Sequence, residues 1–198
     1  MARFTSTPMP EVGLNTLILE GPDAIVDTWL DPDKPDEVWY GADRVRLQGP
    51  SKADRILMGF NLSRLPLDAN VVSATLTLRV EAWDEQSFPC RIVAYRVATV
   101  WKQATATYDS PWGQPGLLAG QDYDPTPVDR VTMPDTGAAM LNVTQAIVGW
   151  QKRGRLGGGL VLMLSDDSHN QCHYWVCMTE QPDPAYRPTL HISYKVSP

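Results

Sequence analysis

Two apolar runs joined by a polar turn segment constrain this chain more than any other stretch: RILMGFNLSRLPLDANVVSATLTLRV, from Arg55 to Val80. In the second run Val72, Ala74, Leu76, Leu78 and Val80 fall on one side. Val71, Ser73, Thr75, Thr77 and Arg79 fall on the other, and all but Val71 are polar or nearly so. A period of two is the mark of a half-buried strand. In the first run Ile56, Met58 and Phe60 alternate with Leu57 and Gly59, so both sides are apolar. Such a run reads as a strand covered on both faces. The joining segment carries Pro66, Asp68 and Asn70, all turn formers. The two runs are therefore expected as neighbours at the centre of an antiparallel sheet.

The rest of the chain repeats that pattern in shorter pieces. Strands are expected at Ala24 to Leu30, around Val38 to Leu47, at Cys90 to Val97, and as a short edge over Trp101 to Asp109. More follow at Leu160 to Ser165, Cys172 to Met178 and Thr189 to Val196. One helix is expected, Leu141 to Gly154, because Val143, Ala146, Ile147 and Trp150 recur at helical spacing. Asn142 or Thr144 is its expected cap, and Lys152 and Arg153 suit its negative end. The 17 prolines and 14 glycines lie between short apolar runs and mark turns. Ser110 to Asp129, rich in Gly, Pro and Asp, is too long for an ordinary connection and reads as a functional or interface loop. About nine short strands and one short helix define an all-β chain, an antiparallel β-sandwich of jelly-roll-like type. Residues 1–22 read as an extended N-terminal arm ending in a strand, and residues 23–198 as the sandwich domain.

Charge and length exclude several function classes. The 198 residues carry a net charge of -6 and no basic patch, so nucleic acid is not an expected partner. No apolar run reaches the roughly 18 residues of a membrane span. The N-terminus, with prolines at Pro8 and Pro10, has no secretory pattern; either the chain stays in the cell that makes it or leaves by assembly or lysis, as a virion protein made in a host cytoplasm would, or a leader has been removed. Three cysteines, Cys90, Cys172 and Cys177, make no even framework and are expected as reduced, buried thiols.

Several local constellations invite chemistry. The acidic loop Asp31 to Glu37 suggests calcium, but two prolines and Lys34 interrupt any regular ligand spacing, and a solvated loop is expected. His169, Cys172, His173 and Cys177 are zinc-type residues. On a strand Cys172 and Cys177 point apart, and His173 and Cys177 stand roughly 13 Å from each other, so no metal is expected. Asp166, Asp167, Ser168 and His169 resemble a hydrolase set, but they sit where a turn is due, and no GxSxG elbow is present. No catalytic residue and no cofactor is assigned. The sequons at Asn61 and Asn142 fall in framework segments. Aromatic residues in or near loops are the expected contact surface: Trp29, Trp39, Tyr40, Trp83, Trp112, Tyr123 and Trp175. Trp101 and Trp150 are expected to pack internally.

The order of the segments adds a resemblance. RILMGFNLSRLP followed by VVSATLTL, then AYRV with Trp101 and ATATYD, then LNVTQAIVGWQ, then Thr179-Glu180 and RPTLHISY, together resemble the disaggregatase-related repeat (DNRLRE) domain family. The likeness runs from Asp23 to Tyr194. Asn61 and Asn142 stand where that family usually has Asp, and Tyr108 where it usually has Trp. The resemblance implies a β-sandwich. It also implies kinship with modules that are mostly secreted, accompany polysaccharide-active enzymes or cell-surface proteins, and in some cases bind acidic polysaccharide.

Two functions are expected from these readings. One is a non-catalytic structural protein of a bacteriophage virion, a capsid decoration or head or tail accessory protein. It would act as a homo-oligomer or with other virion proteins. The other is an extracellular carbohydrate-binding module for acidic polysaccharide.

Overall fold

The computed structural model describes residues 13–82, 89–153 and 158–196. Among them are eleven strands and one α-helix. In chain order they are β1 (Asn15–Glu20), β2 (Ile25–Leu30), β3 (Arg44–Gln48), β4 (Arg55–Phe60), β5 (Ala69–Ala82), β6 (Arg91–Arg96), β7 (Asp129–Thr132), β8 (Thr136–Asn142), α1 (Thr144–Lys152), β9 (Leu160–Leu164), β10 (His173–Cys177) and β11 (Thr189–Val196). They form two antiparallel sheets. One runs β1-β11-β5-β10-β3, with β8 also paired to β5, and the other runs β2-β4-β9-β6-β7. The first will be called sheet A and the second sheet B. This is the all-β sandwich that the alternating runs predict.

The two defining runs are not sheet neighbours. β4 lies in sheet B, between β2 and β9, and β5 lies in sheet A, between β11 and β8. Their connection holds a 3-10 turn at Leu62–Arg64, with Leu62 and Leu65 buried. A hairpin loop of two to five residues would have paired them. This longer, partly buried link carries the chain across the roughly 10 Å between sheets instead. The chain changes sheet at every connection from β1 to β6.

Burial follows the alternation with one shift of phase. Ala74, Leu76, Leu78 and Val80 are buried as expected. Before them Val71 is 8% exposed and Val72 51%, the reverse of the expected order. The register against β11 explains it. Ser193 faces Ser73 but Tyr194 faces Val71, so Val72 is the extra residue of a β-bulge. The N-terminal arm is also partly sandwich. Residues 15–20 form β1, an edge strand paired along its length with β11, and Leu17 and Leu19 enter the core.

β4 is covered on both faces, as its sequence predicts. Ile56 and Met58 belong to the core between the sheets. Leu57 joins Leu30, Val93, Val161 and Met163 in a second cluster on the outer face of sheet B. The segment between β6 and β7 lies over that cluster, contributing Val97, Ala106, Trp112 and Leu117. Ser110 to Asp129 therefore serves first as a packed cover. No strand forms over Trp101 to Asp109, because that segment turns within the cover. There the Ser110 amide donates to Thr107 Oγ1 at 3.1 Å and the Trp112 indole to the Thr107 carbonyl at 2.8 Å.

Helix α1 is shorter than expected, because Leu141 and Asn142 finish β8. Its N-cap is Val143, which has no capping side chain. Asn142 Oδ1 instead accepts from the Thr144 amide at 3.1 Å, and Thr144 Oγ1 accepts from the Ala74 amide at 2.8 Å, tying the helix start to β5. Cys90 and Cys172 form a disulfide with a Cα–Cα distance of 5.8 Å, correcting the expectation of reduced thiols. It joins the residue before β6 in sheet B to the residue before β10 in sheet A. Cys177 is a free thiol.

Candidate binding groove

The aromatic residues picked from sequence do not assemble into one surface. Trp29 is buried in the core, its ring edge-on to that of Trp39 at 5.2 Å. Trp39 is half-buried, with Lys34 Nζ 4.9 Å from its ring. Tyr40 is exposed. Trp112 is buried under the cover, and Tyr123 packs there against Tyr95 at 5.1 Å. Trp175 stands on β10 with the Arg44 guanidinium 4.7 Å from its ring. Trp83 lies outside the described residues.

The other constellations resolve into local structure. Asp31 Oδ1 accepts from the Asp33 amide at 3.0 Å, Lys34 pairs with Glu37 at 3.3 Å and Asp33 pairs with Lys52 at 3.6 Å, so three of the loop's carboxylates are engaged by protein groups. Among the described residues no three His, Cys, Asp or Glu side chains gather as a metal site. The disulfide removes Cys172 from the zinc-type set. Ser168 Oγ accepts from the Arg91 amide at 2.9 Å. Asp167 pairs with Arg91 at 3.1 Å and Arg130 at 3.4 Å. A hydrogen bond from Ser165, then those two cations, hold the Asp167 carboxyl below its usual range. That turn fastens β9 to β6 and β7.

A groove of about 1210 Å³ opens where the start of β2, the end of β4, the segment after β6 and the last turn of α1 meet. Two rings form part of its wall. Phe60 stacks against Trp150 with centroids 6.1 Å apart and planes inclined by 29°. A third ring, Trp101, is fixed by its indole N–H, which donates to the Gly158 carbonyl at 2.5 Å. It lies beside Gly59, where a Cβ would stand 2.9 Å from Val26 Cγ2 and 3.6 Å from the Trp101 ring. A larger residue than glycine at position 59 would press on the Val26 side chain, while its Cβ would only touch the ring. Val26 and Val100 add exposed apolar surface along the rim.

Charge in the groove is of mixed sign with a cationic excess. Arg96 pairs with Asp124 at 2.5 Å. The Thr126 amide, then Arg96, bring the Asp124 carboxyl down to about 2. Asp124 is therefore ionised and already engaged at neutral pH. Lys102 and Arg153 also line the groove and make no ion pair with a described residue. Arg153 is braced by its Nε–H, which donates to the Gly149 carbonyl at 3.2 Å. The braced Trp101 ring beside cations that pair with no described residue suits a ligand with an apolar face and negative groups, since a ring face takes C–H surface and cations take carboxylate or sulfate.

None of these groove residues was among the aromatics selected from sequence. Trp101 and Trp150 read as packing residues, and Trp150 does pack in the core at 3% exposure; Phe60 reads as part of a strand and ends β4. The usable signal was local: Lys102 follows Trp101 directly, and Arg153 lies three positions after Trp150 on the same helical face. The carboxyls that burial pushes upward, Asp27 and Asp54, both to about 7, do not line the groove. No protein-family model matches this chain, and a search of curated proteins finds none similar to it.

Proposed function

We propose that this chain is a non-catalytic binding module, of the disaggregatase-related repeat type that its motifs resemble, and that its groove holds a segment of acidic polysaccharide. The observation that carries the reading is the seating of Trp101 between Gly59 and Gly158, with Lys102 and Arg153, which pair with no described carboxylate, lining the same groove. Sugar rings stack on the indole face, and their carboxylate or sulfate groups meet the two cations. Asp124 supports a binding rather than a hydrolytic role. A carboxyl held near 2 and paired to Arg96 is a poor proton donor at neutral pH. The disulfide supports action outside a reducing cytoplasm.

Titration with uronate-rich and sulfated polysaccharides, followed by tryptophan fluorescence, tests the reading. Saturable quenching that is lost in Trp101→Ala supports it. No response across the panel, or full binding by Trp101→Ala, overturns it.

A second reading has its own support. The edge strand β1 pairs on one side with β11, and among the described residues no strand pairs with its other edge, where Leu14 is 61% and Ile18 43% exposed. Such an edge suits strand addition between copies or to another virion protein, as a capsid decoration or head or tail accessory role requires. Light scattering after size exclusion decides between closed oligomers and a monomer.

A further inference from the structure

We propose that Asp27, Thr179 and Glu180 form a proton-dependent latch that fastens the edge of sheet B to the turn following β10 of sheet A. Asp27 sits on β2, is 1% exposed, and points between the sheets, as its neighbours Ile25 and Trp29 do. Thr179 is fully buried. Its amide donates to Asp27 Oδ2 at 2.9 Å. Its hydroxyl oxygen lies 3.0 Å from Asp27 Oδ1 and 2.8 Å from Glu180 Oε2.

The stoichiometry of that contact requires a proton. A threonine hydroxyl has one hydrogen to donate. Two ionised carboxylates on it leave one oxygen facing another oxygen with nothing between them. With one carboxyl protonated the chain closes. That carboxyl donates to Thr179 Oγ1, and Thr179 Oγ1 donates to the other carboxylate.

The surroundings favour retention of that proton. Opposite Asp27 on β4 stands Met58, which is apolar. The turn carries Glu180, and two charged residues bond its backbone: Asp43, whose carbonyl accepts from the Met178 amide at 2.9 Å, and Arg187, whose Nε donates to the Gln181 carbonyl at 2.6 Å. Glu180 is the charge that acts on Asp27, and it repels. Burial first, then Glu180, push the Asp27 carboxyl up to about 7. When pH rises past that value the Asp27 proton goes to solvent, and the half-exposed Glu180 swings outward. The 178–181 turn then loosens from β2, whose first residues border the groove.

Amide exchange of the full chain reads this directly. Corrected for intrinsic rates, the Thr179 amide is expected to lose about tenfold protection between about pH 5.5 and about pH 8. Asp27→Asn carries its own N–H, which donates to Thr179 Oγ1 while its oxygen still accepts from the Thr179 amide. Its protection should be level across that range. Glu180→Gln closes the chain from the other end, at a half-exposed position that tolerates change, and should be level too. A level wild-type profile overturns the latch. So does a loss of protection in both variants equal to that of the wild type.

Discussion

Asp122 accepts from the Leu118 amide at 2.8 Å, from the Gly113 amide at 3.0 Å and from the Thr99 hydroxyl at 2.7 Å. It is 1% exposed. Burial pushes its carboxyl up, but the three donors outweigh burial and hold it below its ordinary value. One side chain thus pins three separated points of the cover over sheet B. Asp122→Ala leaves those donors unmet and should cost about 3 kcal/mol or more, given about 1.5–3 kcal/mol for a hydrogen bond to a charged group. Denaturant unfolding checks this, and a loss below about 0.5 kcal/mol would mean that apolar packing alone holds the cover. The pH signs oppose each other. Asp122, with a lowered value, adds stability that is present above the ordinary aspartate range and lost as pH falls through its own. Asp27 and Asp54, raised to about 7, add stability that is full below 3.8 and lost as pH rises through about 7. The fold should be most stable in mildly acidic buffer. Asp54→Asn keeps an oxygen for the Gln48 amide and removes the buried charge, so it should gain about 1–3 kcal/mol at about pH 8 and little at about pH 5. None of the three aspartates stands out in sequence, because burial and donor geometry are set by distant segments.

Among the elements, legibility follows how local the cause is. The alternation from Ala74 to Val80 and the two-sided burial of β4 are properties of single strands, and both were readable. The bulge at Val72 was not, because it is defined by the partner strand β11. The placing of β4 and β5 in opposite sheets depends on the link at Leu62–Leu65, whose apolar residues bury themselves instead of forming a tight turn. The same two-sided strands foretell a second layer on sheet B, and the only long irregular segment among those described supplies it. Much of a loop that seemed free for function is thus committed to packing, while its Asp124 lines the groove. The disulfide was hidden by arithmetic, since three cysteines allow three pairings and the bonded two are 82 residues apart. That separation gives the bond a large effect on the unfolded chain. Reduction, or Cys90→Ser with Cys172→Ser, should lower stability by about 2–5 kcal/mol. Thermal unfolding with and without reductant checks it. An unchanged midpoint would show that the packed sheets need no crosslink.

At the scale of the whole molecule, the groove sets a cationic patch on an acidic protein. The chain bears a net charge of -6, yet Lys102 and Arg153 face the groove without a described carboxylate partner. Long-range attraction of an anion is therefore weak, and any preference for one must arise within the groove, over distances shorter than a Debye length. The groove is built from four segments that are remote in sequence, which is why no local motif announced it. This division of labour has separable consequences. Lys102→Glu with Arg153→Glu should abolish binding of a uronate polymer while leaving weak stacking of neutral sugars. Trp101→Ala should remove both. Raising salt from about 0.05 M to about 0.5 M should weaken uronate binding in the wild type and leave neutral sugar binding unchanged, because only the former depends on screened charge. Unfolding midpoints of the double variant should stay close to the wild type, since Lys102 and Arg153 are exposed and pair with no described acid. If the reversed charges bind uronate as well as the wild type does, the ligand does not lie against Lys102 and Arg153, and the edge of β1 becomes the surface to test.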